Sequence, residues 1–227
     1  MVVAGNQSTC QLINQFNQST NQPIFAAYFK KTMNQIRSII EESVAVKHKI
    51  LADEQLLARM DKLTNATVAA LQNGHRVYFC GNGGSAADAQ HLAAEFSGRF
   101  YLERDALPAE ALHCNTSYLT AVANDYSFDV IYSRLVKGLA HAGDVLIGLS
   151  TSGNSVNIVK AFETAREKGV ITAGFTGEGG GKLKALSDYL FDVPSKNTPR
   201  IQESHIMIGH IICQLAEERY FTKTPRL

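Results

Sequence analysis

Apolar residues recur at helical spacing through "FKKTMNQIRSIIEESVAVKHKIL", which predicts an amphipathic helix over about 25–50 and a second over about 55–73. Each exposes an apolar face that needs a partner helix or another subunit. From residue 75 the rhythm changes. Short apolar runs bounded by glycine, serine and proline predict strands at "RVYFC", "LPAEALHCN", "VLIGLS", "VITAGFTG" and "DYLFDVP". Helical patterns lie between them, including "VNIVKAFETAREKG". A last helix starts at "TPRIQESH", with Thr198 as the expected N-cap and Pro199 at the first helical position. Strands alternating with helices predict an α/β fold with a doubly wound parallel sheet of five strands. Such sheets bind ligands beyond the carboxyl ends of their strands, where the strand order switches.

Composition narrows the picture. Residues 1–24 are rich in Asn, Gln, Ser and Thr and read as a loose or weakly helical tail, followed by one domain over 25–227. The chain has 227 residues, 45% of them apolar, and a formal net charge of +1, so no basic field recommends nucleic acid as a partner. No run approaches the ~18 apolar residues of a membrane span, and the N-terminus carries no secretory signal. Cys10, Cys80, Cys114 and Cys213 are scattered, without CxxC or zinc-finger spacing, and read as reduced thiols of a cytoplasmic protein. Cys213, among apolar helix residues, is a packing residue.

Two loops carry candidate chemistry. In "CGNGGSAADAQHLAAEF", Gly81, Gly83 and Ala86 formally match a dinucleotide fingerprint. The next strand ends "LHCN", without the required carboxylate, and the loop has no lysine for a P-loop. In the second loop Ser150, Thr151, Ser152 and Ser155 crowd a strand end just before a helix. Capping needs one hydroxyl; four suit a phosphate at a helix N-terminus. With no base or ribose signal, a sugar phosphate fits better than a nucleotide.

Two helix stripes follow. Asp88, His91 and Glu95 lie within roughly 60° on one helix face, and His91 and Glu95, four apart, can meet. A solvated polar stripe is the plain alternative. On the last helix Ile201, Ile208, Ile211, Ile212 and Leu215 form the apolar face, and His210 points away from it. Gln202 and Glu203 also lie off that face, and Glu203 aligns with His210 better than Gln202 does. His205 borders the apolar face and reads as structural.

Together, "CGNGGSAADAQHLAAEFSGRF", "ANDYSFDVIYSR", "GDVLIGLSTSGNS" and "RIQESHIMIGH" resemble the phosphoheptose isomerases, which are SIS (sugar isomerase) domain enzymes. The resemblance covers about residues 30–220. It implies a flavodoxin-like SIS domain with N-terminal helices, assembled as a homotetramer with active sites at subunit interfaces. The implied activity is interconversion of sedoheptulose 7-phosphate and D-glycero-D-manno-heptose 7-phosphate through an enediol, the first step of heptose nucleotide biosynthesis. By resemblance, Ser85, Ser150, Thr151, Ser152 and Ser155 hold the phosphate. Asn82, Arg99 and Asp125 line the sugar, and Gly83, Gly84, Asn124 and Gln202 complete the substrate-binding positions. Glu95 is the implied base and His210 the acid, with His91, Glu95, Gln202 and His210 as ligands of one zinc per subunit. Resemblance, not the helical wheel, favours Gln202 over Glu203. The competing expectations are a non-catalytic SIS-domain regulator that binds a protein partner such as a replication initiator, and an isomerase of another phosphosugar. Regulators tend to lose the catalytic Glu and His; both are present here. The aminosugar synthases carry a second SIS domain, for which this chain has no room.

Overall fold

A computed structural model describes residues 22–221. The tail expected over 1–24 lies almost wholly outside the described residues. Helix α1 spans Gln22–Leu51 and α2 spans Glu54–Gln72. Asp53 caps α2, its carboxylate accepting from the Leu56 amide at 2.9 Å. Among the described residues, those up to Val44 form one compact unit and those from Ala45 onward another. Within the first, α1 leaves Tyr28, Phe29, Ile36, Ile39, Ile40 and Val44 exposed.

In the second unit, β1 (Val77–Gly81), β2 (Ala109–Ala111), β3 (Val145–Leu149), β4 (Ile171–Thr176) and β5 (Tyr189–Asp192) form one sheet in the order β2-β1-β3-β4-β5. Every pairing is parallel. The helices are α3 (Gly84–Ser97), α4 (Thr116–Asp125), α5 (Ile131–Leu139), α6 (Val156–Glu167) and α7 (Thr198–Phe221), with 3-10 turns at Phe128–Val130 and Gly181–Leu186. Alternation along β1 shows the layering. Val77 and Phe79 join the core beneath α2, α3 and α7, whereas Tyr78 and Cys80 join the core beneath α5 and α6. Both faces are covered, so the strands are apolar runs rather than alternating ones. This is the expected doubly wound α/β sheet.

Two local expectations change. The second strand, expected over 107–115, is only Ala109–Ala111, because it is an edge strand paired with β1 alone. Residues 112–115 instead turn into α4, where Asn115 caps the Tyr118 amide. Thr198 is the first helical residue rather than the N-cap, since the Asn197 carbonyl accepts the first helical bond from Ile201. His205 is fully buried with Nε2 3.0 Å from the Thr176 carbonyl, and Cys213 is 4% exposed, so both are packing residues as expected.

Candidate active site

The strand order places the two loops together. β1 switches neighbours from β2 to β3, and Gly81 at the end of β1 pairs with Leu149 at the end of β3. The chain therefore leaves both strands side by side, into the first loop (82–83) and the second (150–155). A Cβ on Gly81 would lie 2.3 Å from the Ser85 carbonyl oxygen, so only glycine lets α3 turn back over the strand end. Gly83, at φ +54, then starts α3, which no N-cap side chain caps.

The second loop is braced. Gly153, at φ +64, packs so closely on Gly180 that a Cβ would lie 2.1 Å from its oxygen. The Asn154 side chain donates to the Ser152 carbonyl and accepts from the Lys182 amide. Ser155 stands at the N-cap of α6 but its hydroxyl caps nothing; it faces the Ser150 hydroxyl at 2.9 Å. Helices α3 and α6 thus begin beside adjacent strand ends, neither capped by its N-cap side chain. The Ser85 hydroxyl lies on the first turn of α3 and that of Ser155 at the N-cap of α6, with Ser150 at the end of β3 against it and Thr151 and Ser152 between. Such an arrangement suits an anion.

From the eighth residue of α3 onward, the polar stripe closes on α7. His91 Nε2 lies 3.3 Å from Glu95 Oε1 and 3.0 Å from His210 Nε2. The ligand atoms of these three residues all fall within 4.8 Å of one another. Gly209 permits the approach: a Cβ there would meet Leu92 Cδ1 at 2.5 Å. The Phe100 ring packs 5.8 Å from that of His210. Burial raises the Asp88 carboxyl above its ordinary pKa, against the pull of His91 and His210. Burial, reinforced by His91, lowers that of the His210 imidazole, against Glu95 and Asp88.

Gln202 and Glu203, which the wheel ranks the other way, turn to different neighbours. Gln202 Nε2 donates to the Ser85 hydroxyl at 3.4 Å, and Gly84 leaves room for its amide. Glu203 turns to Arg200 and to Lys47. The structure brings Asn82, Gly83, Gly84, Ser85, Gln202 and the second loop to one end of α3, and His91, Glu95 and His210 together further along it. It does not bring the others in by hydrogen bonding: Arg99 pairs with Glu103 at 3.8 Å, and Asn124 donates to Asp125 at the end of α4.

Sequence reasoning missed two features. Asn157, on the first turn of α6, pairs with Asn82; its signal was a polar residue on an otherwise apolar buried face of that helix. Arg104 and Glu217, at 3% and 2% side-chain exposure, form a buried ion pair at 2.8 Å. Glu217 also accepts from the amides of Phe100, Tyr101 and Leu102, and Arg104 donates to the carbonyls of Glu95, Phe96, Gly98 and Asp105. Together they fix the end of α3 and the loop after it.

Comparison with known proteins agrees with this geometry. The SIS domain family model matches residues 33–177. The phosphoheptose isomerase of Aneurinibacillus thermoaerophilus is 53% identical over 82% of this chain and 94% of its own length. That of Clostridium acetobutylicum is 50% identical over 83% of this chain and 96% of its own. The solved phosphoheptose isomerase of Neisseria gonorrhoeae superposes with a TM-score of 0.77 at 39% identity, covering 82% of this chain and 99% of that one. The Francisella tularensis enzyme gives 0.78 at 35%, over 82% and 98%. With its sheet order, paired loops and matched relatives in accord, the chain belongs to the SIS-domain family of phosphoheptose isomerases.

Proposed function

We propose that this protein is an aldose–ketose isomerase that interconverts sedoheptulose 7-phosphate and D-glycero-D-manno-heptose 7-phosphate. The observation that carries the reading is the placement of His91, Glu95 and His210 on the helix system that begins at the phosphate-type loops. From Ser85 to His91 the helix rises about 9 Å, a length suited to a seven-carbon chain with phosphate at one end and its carbonyl at the other. The regulator alternative loses support, because Glu95 and His210 are retained and the matched relatives are named as isomerases.

Ser85, Ser150, Thr151, Ser152 and Ser155 would hold the phosphate through hydroxyls and first-turn amides. Asn82, Gly83, Gly84 and Gln202 would face the adjoining sugar atoms, with Arg99, Asn124 and Asp125 at its rim. Glu95 would take the proton from C1 of the ketose, and an acid would protonate O2, giving a 1,2-enediol. Return of a proton to C2 and loss of the O1 proton then give the aldose, with no net gain or loss of atoms.

Two imidazoles and a carboxylate suit zinc. A tetrahedral ion with Zn–N bonds of about 2.0–2.1 Å sets its ligand atoms about 3.3–3.4 Å apart. The spacings here are 3.0 and 3.3 Å. His91, Glu95 and His210, joined by Gln202, would hold one ion per subunit, which when bound supplies Lewis-acid polarisation of the substrate oxygens. His210 Nε2 is the atom that faces His91, so it can either ligate or donate a proton, not both at once. As a carboxylate with two oxygens, Glu95 can ligate and still exchange a proton.

The exposed apolar residues of α1 support a homotetramer, which would bury them. Cys80, Cys114 and Cys213 are free thiols, which supports a cytoplasmic setting. Among the described residues no helix is long and apolar enough to cross a membrane. The test is conversion of sedoheptulose 7-phosphate by the purified protein. Glu95→Gln should abolish turnover while leaving the melting temperature intact; full activity in that variant sinks the assignment of the base.

A further inference from the structure

Asn157 is 2% exposed, in the first turn of α6, and has no part in the roles above. Its amide and that of Asn82 exchange two hydrogen bonds: Asn82 Nδ2 donates to Asn157 Oδ1, and Asn157 Nδ2 donates to Asn82 Oδ1, both at 2.9 Å. The clasp ties the loop after β1 to the helix after β3. Such a ring of two amides keeps its pattern if both turn over together, so by itself it orients neither. The Ile158 amide removes that freedom. It donates to Asn157 Oδ1 at 2.9 Å, where only an oxygen can accept. Asn157 is therefore fixed by the backbone of α6, and Asn82 is fixed by Asn157. Each amide spends one N–H and one lone pair in the ring. Asn82, half-buried at the mouth of the first loop, keeps one N–H and one lone pair in directions set by α6.

We propose that Asn157 is a positioning residue for the isomerisation, acting on the sugar through Asn82; the proposal rests on the isomerase reading above. The clasp also sets the two phosphate-type loops at a fixed separation, so that the phosphate and the sugar chain are held in one frame. Pre-organised polar groups of this kind spare the substrate the cost of ordering them on binding.

The test is a double-mutant cycle of Asn157→Ala, Asn82→Ala and the double variant, read in kcat and KM for sedoheptulose 7-phosphate. Asn157→Ala should lower kcat/KM about tenfold, chiefly through KM, yet change it less than about twofold in the Asn82→Ala background. Asn157→Ser keeps an oxygen acceptor in the first turn of α6 but is too short to reach Asn82. It should stay folded and match Asn157→Ala in kinetics. Effects that multiply in the double variant, or wild-type KM in Asn157→Ser, overturn the proposal. Failure of the wild-type protein to convert the sugar phosphate overturns the isomerase reading instead. In that event the same cycle, read as dissociation constants of sedoheptulose 7-phosphate by calorimetry, decides the clasp.

Discussion

Replacing Glu217 with glutamine tests the buried pair at the end of α3. The carboxylate accepts four hydrogen bonds, from Arg104 Nε and from the amides of Phe100, Tyr101 and Leu102, at 2.7–2.9 Å. Glutamine keeps one acceptor oxygen and turns an NH2 group toward donors, leaving the Arg104 guanidinium buried without its counter-charge. Breaking a buried ion pair from one side costs about 3–5 kcal/mol. The low end applies, because the carbonyls of Glu95, Phe96, Gly98 and Asp105 still accept from Arg104. For a domain of this size 1 kcal/mol shifts Tm by about 2–4 °C, so about 3 kcal/mol lowers it by about 6–12 °C. The assay is thermal unfolding at pH 7 and fixed protein concentration, with the exposed Glu218→Gln as control, expected within about 0.5 kcal/mol of wild type. The pH dependence has a definite sign. Burial by itself would raise the Glu217 carboxyl, but the three amides and Arg104 outweigh it and hold its pKa below the usual range. A depressed folded pKa gives stability that is full above the unfolded value of about 4.3 and lost as pH falls through the lower folded value. The gap between wild type and variant should therefore be full at pH 7 and close in acid. A Tm within about 2 °C of wild type at pH 7, or a gap that persists unchanged in acid, would refute the reasoning.

Gly209→Ala sets a methyl against the buried Leu92 side chain. Overpacking of this kind costs about 1–3 kcal/mol, and by parting α3 from α7 it should depress kcat more than KM in steady-state assays. His205 is buried and neutral, its pKa lowered to about 4 by burial against a hydrogen bond to the Thr176 carbonyl. The unfolded chain binds a proton there at higher pH, so stability is full above about 6.5 and falls by about 3 kcal/mol on the way down to pH 4. His205→Gln should flatten that part of the urea-unfolding profile; an unchanged profile counts against it. Exhaustive chelation should remove zinc and activity together, and His91→Ala should lower zinc content by elemental analysis. Full turnover in metal-free protein would leave His210 as the acid.

Legibility followed the physics of each signal. Helical and strand periodicity reached α1, α2, α6, α7 and the five strands, because burial on one or two faces writes itself into the order of residues. It overran β2, whose apolar run continues past the point where the edge strand stops pairing. The hydroxyl-rich second loop was visible as a run, whereas the partner of Asn82 was not. Asn157 lies 75 residues away, and its place on an apolar helix face marks it as buried without naming its partner.

By itself, the sequence determined that the fold is a doubly wound α/β sheet, that two glycine- and hydroxyl-rich loops follow strands, and that His91 and Glu95 share a helix face. These are properties of single elements, and spacing along one element sets direction around its axis. Spacing carries no information about which element lies opposite. Only the tertiary structure set β1 beside β3, so that the two loops open side by side. Only the crossing of α3 and α7 at Leu92 and Gly209 brought His210 to His91. The same crossing turned Gln202 toward Ser85 and left Glu203 to Arg200, against the helical wheel. The wheel treats the contact line as parallel to the axis. Crossed helices touch along a line that moves around the axis, so residues two turns apart face a partner from different angles.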